Sequence, residues 1–328
     1  MANKRLNRVR GLPQENCAEL AKHDVLLCKD VLTKNILELM SFGLDYNESK
    51  IVFDSVSKSV APNSSKVSDL LEKKQQWFLS TQLAKLDQCL HGGLTSGTIT
   101  ELTGPPGCGK TQFCMMLASL AIMSLLSTDD LDSCVIYIDT ENAFTAKRLL
   151  EISSCHIGEN QTSHLDVKEI ASNVVVFYES TFQEMLTRLE SLETIIIERN
   201  VKLIIVDSIA SLARKEFGGH NLVTERNNML MKEATLLKYF AERFNIPVLV
   251  TNQVTTSTSS ELSKDSCLIA ALGNTWAHAV NTRLMIRHSN EDHSIRELLV
   301  AKSPLCPLSK FHYKIDASGI VQVDDLTI

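Results

Sequence analysis

Gly104-Pro105-Pro106-Gly107-Cys108-Gly109-Lys110-Thr111 fits the pattern G-x-x-x-x-G-K-[ST] in full. The octapeptide follows a run with strand texture, Thr98-Ile99-Thr100-Glu101-Leu102-Thr103. It leads into an apolar stretch that reads as a helix from about Thr111. Strand, glycine-rich turn and helix in that order make a phosphate cradle. The glycines let the backbone close around the anion, and the N–H groups at the helix start face it. Lys110 is then placed to reach the β and γ phosphates of ATP as a point charge, and the Thr111 hydroxyl to ligate Mg²⁺. The expected ATP-binding set runs through Gly104, Pro105, Pro106, Gly107, Cys108, Gly109, Lys110, Thr111 and the following Gln112.

Outward from this motif, short β-rich runs alternate with helical ones. Cys134-Val135-Ile136-Tyr137-Ile138-Asp139, Asn173-Val174-Val175-Val176-Phe177, Lys202-Leu203-Ile204-Ile205-Val206-Asp207 and Pro247-Val248-Leu249-Val250-Thr251-Asn252 read as strands, with helices over 182–200 and 229–244 between them. Such unbroken Val/Ile/Leu runs predict an α/β fold around a mainly parallel sheet buried on both faces. Ligands of these sheets bind at the carboxyl ends of the strands. Three polar residues stand there. Asp207 closes its apolar strand and suits the magnesium shell. Glu141, two residues past Asp139, is placed to accept a proton from an attacking water. Gln253 ends the last core strand, where it can sense the γ-phosphate.

The first 75 residues have a different texture. Val31, Leu32, Ile36, Leu37 and Met40 recur at helical spacing, and Gly43 is placed to stop that helix. The expected organisation is a small all-α N-terminal domain over 1–55, a linker over 56–75 containing Ala61-Pro62-Asn63-Ser64-Ser65, and an ATPase core over 76–328. A length of 328 residues suits one large domain, or one large and one small. The 33 Lys plus Arg against 39 Asp plus Glu, a net charge of −6, exclude a protein that coats nucleic acid with a uniform basic surface. The excess of acid belongs to the core: the segment to Lys74 carries 12 basic and 10 acidic residues, leaving 21 against 29. Nine cysteines, with no CxxC pair and no Cys/His cluster at zinc spacing, fit a reduced interior. Lys4, Arg5, Arg8 and Arg10 make a basic tail without the apolar stretch of a secretory signal. The longest apolar run, over 113–126, is shorter than the roughly 20 residues a bilayer span needs, so no membrane partner is expected.

These residues resemble the RecA-like strand-exchange recombinases of eukaryotes and archaea. Gly92-Gly93-Leu94-Thr95-Ser96-Gly97-Thr98-Ile99-Thr100-Glu101 is similar to that family's approach to the phosphate loop. Tyr137-Ile138-Asp139-Thr140-Glu141, with Phe144 and Arg148 after it, resembles the strand of the catalytic glutamate and the arginine that stacks on adenine. Leu203 and its neighbours to Ser208, and Val250-Thr251-Asn252-Gln253-Val254, resemble the magnesium strand and the strand leading into the second DNA loop. Ala277-His278 and Ser303-Pro304 fall where the family closes its core and caps a neighbour's ATP. The resemblance implies a RecA-like P-loop ATPase core and a DNA-dependent ATPase, with Lys110, Glu141 and Gln253 catalytic, Thr111 and Asp207 on the metal, and Arg148 on the base.

Departures from the family's pattern point to a non-recombinase paralogue, most similar to the B-type branch. Around Ser64-Ser65-Lys66-Val67 no aromatic stands where the recombinases carry their polymerisation anchor, the kind of buried side chain that dominates an interface. The first DNA loop, about 213–226, keeps Arg214, Lys215 and Arg226. The second, 255–272, has Lys264 as its one base, beside Glu261 and Asp265. Lys302 in the cap segment, where a recombinase has an acid, could reach a neighbour's γ-phosphate in trans. The resemblance implies a nuclear subunit of a heteromeric paralogue complex, chiefly with the C-type and then the D-type paralogue. That complex would support the strand-exchange recombinase on single-stranded and branched DNA during homologous recombination repair of double-strand breaks and damaged forks. The alternative is a scaffold in which bound ATP fixes the assembly with little turnover. A metabolic kinase would need an acceptor-binding lid, which no segment supplies. Trp77 and Trp276 are expected to pack rather than stack on bases.

Overall fold

A computed structural model describes residues 4–61, 66–68, 76–126, 133–159, 166–216, 223–257, 267–270, 272–289 and 294–323. The chain divides into two compact units, Met1–Gln75 and Gln76–Ile328.

The first unit carries α1 (Gln14–Ala21), α2 (Cys28–Leu32), α3 (Ile36–Met40) and α4 (Tyr46–Val60) around a core that includes Leu20, Val31, Leu39, Val52 and Val56. The periodic run from Val31 to Met40 is two short helices rather than one. Asn35 interrupts it by capping α3: its Oδ1 accepts from Glu38 N at 2.9 Å, and Glu38 Oε2 accepts from Asn35 N at 2.7 Å. Asp45 and Glu48 make the same reciprocal pair at the start of α4. That helix continues to Val60, through the first five residues assigned to the linker, because Val52 and Val56 keep its apolar face on the core.

The second unit runs β1 (Phe78–Leu79), α5 (Ala84–Cys89), β2 (Leu94–Thr95), β3 (Ile99–Thr103), α6 (Lys110–Leu126), β4 (Val135–Asp139), α7 (Ala146–Glu159), α8 (Val167–Ser172), β5 (Val174–Tyr178), α9 (Phe182–Glu198), β6 (Leu203–Asp207), α10 (Ile209–Glu216), α11 (Val223–Phe244), β7 (Val248–Asn252), β8 (Val254–Ser257), β9 (Cys267–Ala270), α12 (Gly273–Ala279), β10 (Thr282–His288), β11 (Arg296–Lys302), β12 (Ser309–Asp316) and β13 (Gly319–Val323). Nine strands form one sheet in the order β13-β12-β11-β10-β3-β7-β6-β4-β5. From β10 to β5 the pairings are parallel; from β10 to β13 they are antiparallel.

Every residue of β3, β4, β6 and β7 is buried. Alternation of side chains sends Val135, Tyr137, Leu203 and Ile205 to the α6–α7 face, and Ile136, Ile138, Ile204 and Val206 to the face covered by α9 to α12. Helix α6 is buried continuously over 113–123 because both the sheet and α7 lie against it. Strand β5 reads like the others but is the sheet edge and only half-buried. The four-stranded antiparallel wing is not visible in the sequence runs. The two ends of the expected second loop pair with each other, β8 antiparallel to β9.

Candidate functional site

The turn between β3 and α6 is confined by the antiparallel wing. A Cβ on Gly104 would stand 2.4 Å from the Ile286 carbonyl oxygen, and one on Gly109 would stand 2.5 Å from Ile315 Cδ1. Gly109 also has φ +97°, a conformation glycine takes without strain. Tyr313, on β12, donates its hydroxyl to the Cys108 carbonyl at 2.7 Å and holds the back of the turn. Lys110 lies over the loop, its Nζ donating to the carbonyls of Gly104 at 2.8 Å and Pro105 at 3.0 Å. Burial pushes the Lys110 ammonium below the ordinary lysine range, and the Glu141 and Asp207 carboxylates oppose that shift. Burial likewise raises the Cys108 thiol, against the pull of Lys110.

Asp207 ends β6 beside this loop and is buried. Its Oδ2 accepts from Thr111 Oγ1 at 2.7 Å and from the Tyr137 hydroxyl at 2.8 Å, and its Oδ1 from Thr251 Oγ1 at 2.5 Å. Burial raises the carboxyl above its ordinary value, and the three hydroxyl donors pull it back. A hydroxyl and a carboxylate converging from two elements are the hard oxygen donors that Mg²⁺ prefers. Across the cleft, Glu141 sits on a turn pinned by Asp139, which accepts from Glu141 N at 3.0 Å and Phe144 N at 2.8 Å. Glu141 Oε1 accepts from Ser208 Oγ at 2.6 Å and from Gln253 Nε2 at 3.1 Å. The strand ends therefore bring Lys110, Thr111, Asp207, Glu141 and Gln253 around one cavity of ≈ 440 Å³.

The profile of the Rad51 family matches residues 48–323. The chain belongs to the Rad51 family. An XRCC3/RpoA-like helix-hairpin-helix domain matches residues 6–60, where α1 to α4 lie. "DNA repair protein RAD51 homolog 2" of Homo sapiens is 42% identical over 98% of this chain and 89% of its own length; that of Mus musculus is 43% identical over 98% of both. "DNA repair and recombination protein RadA" of Methanococcus voltae is 30% identical over 77% of this chain and 78% of its own. The Rad51 family consists of DNA-dependent ATPases of repair and recombination that bind ATP with Mg²⁺.

Other residues singled out by likeness to the Rad51 family are placed less uniformly. Arg148, on α7, does not line the cavity. It donates to Gln112 Oε1 at 2.7 Å, to the Ala317 carbonyl at 3.0 Å and to the Asp316 carbonyl, and pairs with Glu151. Arg214, expected on the DNA side, lines the cavity together with Glu141 and Gln253. Lys215 is exposed and reaches the Ser180 carbonyl at 3.4 Å. Arg226 is half-buried on α11, with no partner for Nε among the described residues. Lys264 and the first-loop residues 217–222 lie outside the described residues. Lys302 is engaged within its own subunit: its Nζ caps α12 through the carbonyls of Ala277 at 2.9 Å and Val280 at 2.6 Å. Trp77 and Trp276 both pack and donate, to the Asn245 carbonyl and to Glu101. Tyr137, Thr251 and Ser208, which orient the two carboxylates, lie within the family-like stretches, but the sequence reading assigns them no role of their own. Their one signal is a hydroxyl inside, or just after, an otherwise apolar strand.

Proposed function

We propose that this Rad51-family chain is an ATP-binding, DNA-stimulated ATPase subunit of a recombinase-paralogue complex that supports recombinase loading during homologous recombination repair. One observation carries the reading: Lys110, Thr111 and Asp207 share a cavity with Glu141 and Gln253. The loop N–H groups and Lys110 hold the triphosphate. Thr111 and Asp207 are the residues that would hold Mg²⁺, which when bound neutralises charge on the β and γ phosphates. Glu141, aimed by Ser208 and Gln253, orients water and takes its proton. Gln253 can exchange its bond to Glu141 for one to the γ-phosphate, which passes nucleotide state to the segment beyond β7. Catalysis of this kind is positioning and charge stabilisation.

Lys110→Ala is expected to lower ATP binding and hydrolysis at least about a hundredfold; a variant that hydrolysed ATP at the parental rate would exclude the site. Glu141→Gln is expected to keep ATP binding and lose turnover by about 10²–10⁴. If repair in cells survives Glu141→Gln but fails with Lys110→Ala, ATP acts by fixing the assembly rather than by being hydrolysed. The reading includes partnership with other paralogues, chiefly the C-type and then the D-type, and action in the nucleus; the similarity to proteins named for DNA repair is consistent with it. No helix among the described residues is long and apolar enough to cross a membrane. Because the core is net acidic, DNA affinity is expected to rise when a paralogue partner is added. A salt titration of single-stranded DNA binding, with and without that partner, measures this.

A further inference from the structure

Glu101 is wholly buried on β3, three residues before the phosphate loop, and the chemistry above makes no use of it. A buried carboxylate is costly unless its oxygens are met. Here Oε1 accepts from Asn252 Nδ2 at 2.6 Å and from the Trp276 indole Nε1 at 2.9 Å, while Oε2 pairs with Arg283 Nε. The donors come from β7, α12 and β10, so one side chain ties three elements to the strand that carries the phosphate loop. Stability alone does not call for this arrangement, since apolar residues of similar volume commonly serve as well as a buried ion pair. What directional bonds add is register.

Two of those ties bracket the segment beyond β7. Asn252 Oδ1 accepts from Gln253 N at 2.7 Å, and Gln253 Nε2 reaches Glu141 in the nucleotide cavity. Trp276 lies on the helix that closes the 255–272 segment. The same oxygen of Glu101 therefore accepts from Asn252, three residues before that segment, and from Trp276, four residues after it. We infer that Glu101 is a positioning residue that carries nucleotide state from Gln253 to α12, so that both ends of the 255–272 segment move together. The inference rests on the ATP reading given above. A shift of Gln253 toward a γ-phosphate pulls on Asn252 through the Gln253 N–H, and the shared Oε1 transmits the pull to the Trp276 indole.

The chain has two tryptophans, so Trp77→Phe leaves Trp276 as the single indole reporter. In that full-length background, Mg²⁺ with ATPγS is expected to shift Trp276 emission and ADP is not. Adding Glu101→Gln should abolish the shift while ATPγS affinity by calorimetry stays within about twofold of the parent's. Trp276→Phe in the otherwise parental chain, which removes only the indole donor, should lower the DNA stimulation of ATP hydrolysis at least fivefold with the same affinity. A Glu101 that served only the core would lower the melting temperature and leave the shift in place, which overturns the inference. So does ATPγS binding with no shift in the Trp77→Phe chain. If the parent binds no ATPγS, the ATP reading itself fails, and that failure is seen separately in the calorimeter.

Discussion

In β3, β4, β6 and β7 every side chain is buried, whereas β10 alternates buried and half-buried positions, and β12 is mostly half-buried or exposed. The two halves of the one sheet contribute to the cavity differently. The parallel half supplies the groups proposed to face phosphate and metal, at the carboxyl ends of its strands. The antiparallel wing supplies none of the charged groups. It supplies the wall: the Ile286 backbone behind Gly104, Ile315 against Gly109, and the Tyr313 hydroxyl on the Cys108 carbonyl. A phosphate loop needs both, because N–H groups can converge on an anion only if the turn bearing them is held closed from behind.

The largest effect expected from the wall is at Gly104. A methyl there meets the backbone oxygen of β10, which cannot rotate away, so Gly104→Ala should lose ATPγS binding as fully as Lys110→Ala. Gly109→Ala is a graded version of the same test. Its clash is with the flexible end of Ile315, so Ile315→Val, which removes that Cδ1, should recover part of the loss. The remainder is the cost of alanine at positive φ, on the order of 1–3 kcal/mol. Full recovery by the double variant, or none, would break the division of labour between wall and site. Tyr313→Phe is smaller still. It removes one hydrogen bond, about 0.5–1.5 kcal/mol, and should weaken ATPγS binding by no more than about tenfold in calorimetry.

The same contrast explains what could be read from the sequence. A buried parallel strand is an unbroken apolar run, so Leu203-Ile204-Ile205-Val206 declares itself, and with Gly104 to Thr111 it locates the cavity. In the wing the strands carry Arg283, Arg287, Arg296, Lys310 and Lys314 at half-buried or exposed positions, which dilute the apolar signal below the level of a strand. The break between α2 and α3 was hidden for a related reason. Asn35 falls between apolar positions that keep helical spacing across it, and only its exchange of bonds with Glu38 shows the stop. The place of Arg214 depends on the direction in which α10 leaves β6, a tertiary fact with no local code. The capping role of Lys302 depends on β11 lying beside the end of α12.

The smallest expected effect concerns Asp207, where the parallel half holds a charge that it has itself desolvated. Burial is the largest influence and raises this carboxyl above 3.8, its ordinary value, with the Thr251, Thr111 and Tyr137 hydroxyls opposing. Between 3.8 and the raised value the folded chain keeps a proton that the unfolded chain has released. Stability then decreases as pH rises through that window and is recovered as pH falls. The Asp207→Asn variant carries an amide at that position, which does not titrate. The unfolding free energy of the parent, measured against that of the variant in denaturant titrations, should therefore improve as pH is lowered from 7 to 4. Bound Mg²⁺ with ATPγS favours the ionised carboxylate, so the slope should flatten when both are present. A difference that stays constant with pH would mean that the three hydroxyl donors compensate the burial completely. A slope of opposite sign would mean that they overcompensate it, which would make Asp207 an ordinary stabilising carboxylate instead of a group held ready for a cation.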